Sequence, residues 1–178
     1  MFSRQKFSEL VTERLILEPF NSRHSDGVFA LWSSPEVCLY SGDAVDWDGN
    51  LIRLPARSPS DSDLILEFFI RRSNEGSGVR WAIISRADAR CLGAVGLNSV
   101  EPFAEIAYHL HPDCWGSGYA GEACEAVITW IRENLAVAEI EAFILPENDR
   151  SITLARRLGF VSTPHSKDGA RRYVLDAT

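Results

Sequence analysis

Apolar residues recur along this chain with two periods, and the switches between them divide it into elements. From Thr12 to Phe20 (TERLILEPF) apolar and polar positions alternate as in a half-buried strand, closed by Pro19. His24 to Ser34 takes helical spacing, with Val28, Phe29, Leu31 and Trp32 on the apolar side and Ser25 or Asp26 as N-cap. Ser41 to Ser62 is rich in Asp, Ser, Pro and Gly and shows no period, which predicts a long loop. Helical spacing resumes over Asp63 to Arg72 through Leu64, Ile65, Phe68 and Phe69.

Three short strands follow, Arg80–Arg86, Arg90–Ser99 and Ala104–His111, separated by the turns ADA and VEPF. Tyr119 to Asn134 is the strongest helix, its stripe running through Ala120, Ala123, Cys124, Val127, Ile128 and Ile131 to Leu135. Glu139 to Leu145 reads as a strand. A helix then ends at Leu158, with Gly159 placed for a left-handed cap, and Phe160–Thr163 with Arg171–Leu175 forms a closing hairpin. An antiparallel meander followed by strand–helix–strand–helix predicts an α+β fold, a mixed and mostly antiparallel sheet flanked by helices with one parallel crossover.

At 178 residues the chain is expected to form a single domain over 1–178, burying roughly 70% of its unfolded surface. A net charge of −7 argues against nucleic acid as a partner, because that binding rests on Lys and Arg neutralising phosphates. The opening MFSRQKFSELVTERL has no apolar core of signal-peptide length, and no run approaches a membrane span, so a cytoplasmic location and no membrane partner are expected. Cys38, Cys91, Cys114 and Cys124 have neither CxxC nor zinc-finger spacing, so no metal is expected and they read as structural thiols. Cys114 lies beside a glycine turn, but no base partners it in the sequence.

That turn carries the chemistry. Glu105 to Ile131 passes from a strand through Pro-Asp into Gly116-Ser117-Gly118 and then into the strongest helix. Free backbone N–H groups and the positive end of the macrodipole make such a place a seat for phosphate. Gly116 to Gly121 also satisfies G-x-G-x-x-G, with Glu141 where a ribose-binding acid would fall. A dinucleotide fold needs the glycines directly after a buried strand in a doubly wound parallel sheet, whereas HPDCW intervenes and only one crossover follows.

HPDCWGSGYAGEA resembles motif A of the GNAT acetyltransferases, in the HPxxWGxGYAxEA form of the branch that includes the ribosomal-protein N-acetyltransferases. TERLILEPF, CLGAVGL and PENDRSITLARRLGF are similar to further segments of that branch, in the same order. The resemblance implies a GNAT fold binding acetyl-CoA, its pyrophosphate on the amides of Gly116, Ser117, Gly118, Tyr119 and Ala120. Its pantetheine would lie in a V between the strand ending at Leu110 and the strand Glu139–Leu145. Trp115 stands where many GNAT chains have Gln or Arg, which leaves backbone and dipole to hold the pyrophosphate. Asn148 would bond the pantetheine and Ser151 would sit near the sulfur. Helix capping is the competing use of both. Ala155 occupies the position of the tyrosine acid of many members, so Ser151, a water or unassisted release of the thiolate must take its place. The resemblance also allows a homodimer, with no interface legible.

Acetyl transfer to an amine needs a proton acceptor, since an ammonium of pKa near 10.4 is costly to deprotonate at neutral pH. Glu105 is the leading base: it opens its strand in phase with Ala107 and His109, while Ile106, Tyr108 and Leu110 face the other way. A solvent-facing charge is the plainer reading. His109 is a second candidate on the same face, and Tyr108 reads as core. Asp43, Asp46, Asp48, Asp61 and Asp63, with Trp47, suggest a cationic acceptor, against the plainer reading of a solvated loop. A non-catalytic acyl-CoA sensor and a dinucleotide oxidoreductase are the alternative functions.

Overall fold

In the computed structural model, which describes residues 7–178, ten strands and five α-helices form. The strands are β1 (Leu10–Val11), β2 (Leu15–Pro19), β3 (Ala44–Val45), β4 (Leu51–Ile52), β5 (Val79–Ser85), β6 (Cys91–Ser99), β7 (Ala104–Leu110), β8 (Glu139–Ile144), β9 (Val161–Lys167) and β10 (Ala170–Asp176). The helices are α1 (Ser25–Trp32), α2 (Pro35–Cys38), α3 (Pro59–Glu75), α4 (Tyr119–Asn134) and α5 (Asp149–Arg157). Eight strands make one sheet in the order β1-β2-β5-β6-β7-β8-β10-β9, and β3 and β4 pair separately. Among the described residues no helix is long and apolar enough to cross a membrane.

The central strands VRWAIIS and CLGAVGLNS are apolar on both faces because both faces are covered. Val79, Trp81, Ile83, Val95 and Leu97 pack with Val127 and Ile131 of α4 in one core. The opposite face offers Ala82 and Ala94 to Val28, Leu31 and Trp32 of α1 and to Ile65 and Leu66 of α3. Small residues on this second face leave space beneath the helices, and the candidate site lies there.

Several boundaries differ from those read in the sequence. The segment Thr12–Phe20 is divided by a tight turn, closed by Thr12 N–H donating to the Leu15 carbonyl, so that β1 folds back on β2. The start of α1 is not capped by Ser25 or Asp26. Asn21 caps a 3₁₀ turn over Ser22–His24 that runs directly into it. The loop expected over Ser41–Ser62 contains the β3–β4 hairpin, whose turn is held by Asp46 accepting from the N–H groups of Asp48 and Asn50. It also contains the first turn of α3, because Ser58 and Asp61 cap each other reciprocally and Pro59 takes the first helical position. The closing hairpin is longer than its apolar residues suggested, since β9 is almost wholly exposed and carries no apolar stripe.

The two parallel strands β7 and β8 pair only at Ala104 with Ile140 and Glu105 with Glu141, and then part. β7 continues along β6 as far as Leu110 opposite Gly93, while β8 pairs with β10 over its whole length. The result is a V opening toward the start of α4.

Gly96 sets how closely β5 and β6 approach, because a Cβ there would lie 2.1 Å from the Val79 carbonyl oxygen. Gly96→Ala is expected to destabilise the protein by about 1–3 kcal/mol, as overpacking against backbone does, read as a lower urea midpoint. An unchanged midpoint would show that the strands can part freely at this point.

Candidate active site

A cavity of about 650 Å³ occupies the V and the space beneath α1 and α3. It runs from Tyr40 and Asp43, past Glu105 and His109, to Asn148, Ser151 and Leu154. Strand alternation divides β7 between its two sides. Glu105, Ala107 and His109 face α1 and α3, and Tyr108 packs with the α4 core.

Glu105 is fixed rather than free. Its Oε1 accepts from Asn98 Nδ2 at 2.7 Å, and Asn98 Oδ1 accepts from Arg80 Nη2 at 2.6 Å. Asn98 is the extra residue of a β-bulge between the pairs Leu97–Ile106 and Ser99–Glu105. Arg80 is buried and donates through Nη1 to the Ala107 carbonyl at 3.0 Å. Burial draws its pKa down to about 10, against the opposing pull of Glu105, so it remains a cation at neutral pH.

His109 stacks on Trp32 with ring centroids 4.4 Å apart. Burial, reinforced by Arg80, pushes its pKa down to about 3, leaving a neutral imidazole of little basicity. That makes it a poor second base.

On the other side Tyr108 Oη donates to Ser151 Oγ at 2.9 Å. Burial raises the Tyr108 pKa, so the phenol stays protonated. Asn148 Oδ1 accepts the Ser151 N–H at 3.2 Å and caps α5, so the capping use of Asn148 is present in the fold. Ala155 is buried in the cavity wall beside Leu154. The Tyr108 hydroxyl thus reaches Ser151 from β7, although the sequence pattern reads Tyr108 as core.

At the open end of the V, Gly116 and Gly118 take left-handed φ of +78° and +82°. Gly118 caps the 16-residue α4 without a side-chain bond, leaving its first amides unclaimed. A Cβ built on Gly116 would meet nothing within 4 Å, so the turn has room for a phosphate group. Trp115 Nε1 donates to the Leu110 carbonyl at 2.9 Å, tying the turn to the end of β7, and Arg150 lies 4.4 Å over its ring. Sequence reasoning missed Arg14. It pairs with Glu122 at 2.6 Å, donates to the Ser117 carbonyl at 2.9 Å and lies over the Tyr119 ring. Together with Thr12, which donates to the same carboxylate, it offsets a negative charge in the first turn of the phosphate helix.

Other candidates have structural uses. Burial raises the thiol pKa of Cys114 and pushes that of Cys124 up to about 12, so neither is a ready thiolate. Glu141 pairs with Arg172 of β10 at 2.6 Å inside the sheet, which removes the ribose-binding acid that the dinucleotide alternative required. Asp46 and Asp61 serve their own turns, and Asp63 accepts from Ser25 Oγ at 2.5 Å. Trp47 stacks against Phe68 and Arg71, and Asp43 is the member of the acidic set that lines the cavity. Among the described residues no cluster of three or more His, Cys, Asp or Glu side chains could hold a metal ion.

The chain is similar to known proteins over most of its length. Residues 14–161 match the acetyltransferase (GNAT) domain. The chain is 32% identical over 154 residues to the uncharacterized N-acetyltransferase p20 of Bacillus licheniformis, covering 85% of this chain and 81% of p20. It is 27% identical to the uncharacterized N-acetyltransferase YoaA of Bacillus subtilis, covering 95% and 89%. Among solved structures, RimL, a ribosomal L7/L12 alpha-N-protein acetyltransferase in complex with coenzyme A, superposes with a TM-score of 0.75 at 18% identity, over 93% of this chain and 96% of RimL. The microcin C7 self-immunity acetyltransferase MccE, in complex with acetyl-CoA and AMP, gives 0.74 at 16% identity, over 93% of each chain. With a split parallel pair and a glycine turn at the head of α4, and with the GNAT domain matched across most of its length, the chain belongs to the GNAT acetyltransferases, acyltransferases that depend on acetyl-CoA.

Proposed function

We propose that this protein transfers an acetyl group from acetyl-CoA to a primary amine, on a protein N-terminus or a small molecule, by direct attack on the thioester. The observation that supports it most is the single cavity joining a fixed carboxylate, Glu105, to a hydroxyl pair, Tyr108 and Ser151, across the V. Acetyl-CoA supplies the activated acetyl group. The amides of Gly116 to Ala120 and the α4 dipole hold its pyrophosphate, with Trp115 closing the turn and Leu110 ending the strand beside the pantetheine. Asn148, whose Oδ1 caps α5, has its side-chain NH₂ left for the pantetheine amides.

An ammonium must lose two protons to become an amide nitrogen. Glu105 takes the first, with one oxygen held by Asn98 and the other left for the amine or a bridging water. The second reaches the departing sulfur. Ser151 relays it, passing its own hydroxyl proton to the sulfur as its oxygen takes up the one leaving the nitrogen, while Tyr108, which stays protonated, holds that oxygen in place by a hydrogen bond. Thiols of pKa near 8.5 leave with little acid help, so this arm is the weaker of the two. His109, packed against Trp32, contributes shape rather than proton transfer. Asp43, which lines the cavity, can attract an incoming ammonium. We place this chemistry in the cytoplasm, where the cysteines, all free among the described residues, would remain reduced.

Ser117→Asp sets a carboxylate on the exposed turn and leaves both left-handed glycines in place. CoA affinity by calorimetry is expected to fall at least about tenfold, the reversal of a favourable helix-dipole contact, with the melting temperature unchanged. Retained affinity would move the pyrophosphate elsewhere.

Glu105→Gln keeps size and the Asn98 contact but loses the proton acceptor. Turnover is expected to drop about 10²–10⁴-fold, with the residual rate rising with pH as free amine accumulates and KM for acetyl-CoA little changed. A pH–rate profile matching wild type would remove Glu105 from the mechanism. Since the His109 pKa is displaced to about 3, no inflection from it is expected between pH 5 and 9.

Tyr108→Phe removes only the hydrogen bond to Ser151. A fall in kcat of about tenfold is expected, the size of one hydrogen bond, without loss of acetyl-CoA binding. An unaltered kcat would leave Ser151 or water acting alone.

A further inference from the structure

The acceptor side of the cavity is rich in donors and in positive charge. Among the described residues four buried side-chain nitrogens lack a hydrogen-bond partner: Trp32 Nε1, Arg72 Nε, Arg80 Nε and His109 Nδ1. All four residues line this one cavity. Three of these atoms are N–H groups that can only donate. Arg80 is 3% exposed and Trp32 5%, so bulk water does not serve them.

The two arginines also lack a direct counter-ion. Arg80 spends its Nη atoms on Asn98 and the Ala107 carbonyl, and meets Glu105 only through Asn98. Arg72 gives Nη2 to the carbonyls of Ser77 and Asn98, and its charge is near enough to lower the Arg80 pKa. Phe68 and Phe69 cover the guanidiniums, at 5.7 Å from Arg72 and 4.2 Å from Arg80. The carboxylates that line the cavity are Asp43, Glu105 and Asp168, and among the described residues none of them makes an ion pair with Arg72 or Arg80. A buried cation of this kind is costly unless an anion meets it. An amine alone cannot do so, because an ammonium adds donors and positive charge. A carboxylate can, having only acceptor oxygens and a geometry suited to guanidinium.

We propose that the acceptor amine is an amino acid, whose carboxylate is received by Arg80, Arg72 and Trp32 while its amine faces Glu105. This rests on the acetyl-transfer reading and specifies its substrate. Holding both ends of a small zwitterion at one fixed separation orients the nitrogen toward the thioester. Asn98 then has two duties, aligning Glu105 and spacing it from the arginine that holds the carboxylate.

The test is thiol release from acetyl-CoA with L-amino acids, their carboxamides and the matching decarboxylated amines, with KM expressed on the free-amine form. Acids are expected to show KM at least about tenfold below their carboxamides, as charge-assisted contacts allow. Trp32→Phe, which keeps a ring against His109, and Arg72→Gln should each raise KM for the acids several-fold. Neither should move KM for the carboxamides or the calorimetric affinity for acetyl-CoA. Arg80→Lys, which keeps the charge, should reduce the preference for acids. Carboxamides equal to acids, or variants raising both KM values alike, would overturn the proposal and leave acetyl transfer standing. Acetyl-CoA binding without thiol release to any member of the panel would overturn it as well. Failure to bind acetyl-CoA would instead bring down the transferase reading, and this proposal with it.

Discussion

The parting of β7 and β8 is the constraint on which the rest of the site depends. After one shared stretch at Ala104–Glu105 and Ile140–Glu141, the strands diverge, and their facing backbone groups have no ladder to join. Neither strand can close the gap cheaply, because β7 is committed to β6 and β8 to β10. Backbone donors and acceptors in such a cleft must be met by water or by a ligand with amides of its own. Pantetheine is a chain of that kind. The same divergence makes room for Ser151 and Leu154 of α5 at one wall and frees the tip of β7 to turn into the glycine segment.

Alternation along β7 then divides the labour. One face carries Glu105, tied through Asn98 to a buried arginine. The other carries Tyr108, tied to Ser151. In the proposed mechanism, proton removal at Glu105 and proton delivery through Tyr108 and Ser151 lie on opposite sides of a single strand, three residues apart, with the reacting carbonyl expected between them. Small residues at Ala82, Ala94 and Ala107 keep the first face open, while the large residues Trp81, Val95 and Ile106 fill the other.

Much of this was legible in the chain, and the parts that were not have physical reasons. The helix Tyr119–Asn134 stands where its stripe placed it, because a long amphipathic period is hard to mistake. The alternation that put Glu105 and His109 on one face also holds. The chain could not reveal that Asn98, seven residues before Glu105, would orient it, since that contact is made by a bulge and not by a motif. Arg80 left a signal in the lone charge of VRWAIIS, although an apolar strand with one cation reads equally well as an edge. Arg14 was hidden in a tight turn whose significance lies in Glu122, far along the chain. In the acidic loop, carboxylates that cap turns look, in sequence, like carboxylates that wait for a ligand, so the chain could not separate Asp46 and Asp61 from Asp43.

The bulge at Asn98 has a further consequence for how this fold can vary. Side chains on a strand alternate with a period of two, so a slip of one residue exchanges its faces. The connection between Ser99 and Ala104 decides which residues of β7 meet the cavity. Losing or gaining one residue there would bring Ile106 and Tyr108 under α1 and α3 and turn Glu105 toward α4. Both arms of the proposed mechanism would be dismantled without altering any side chain assigned to them. On the proposed mechanism the length of an exposed surface turn is under the same constraint as the carboxylate itself, and insertions should be tolerated elsewhere on this surface far more readily than at that one connection.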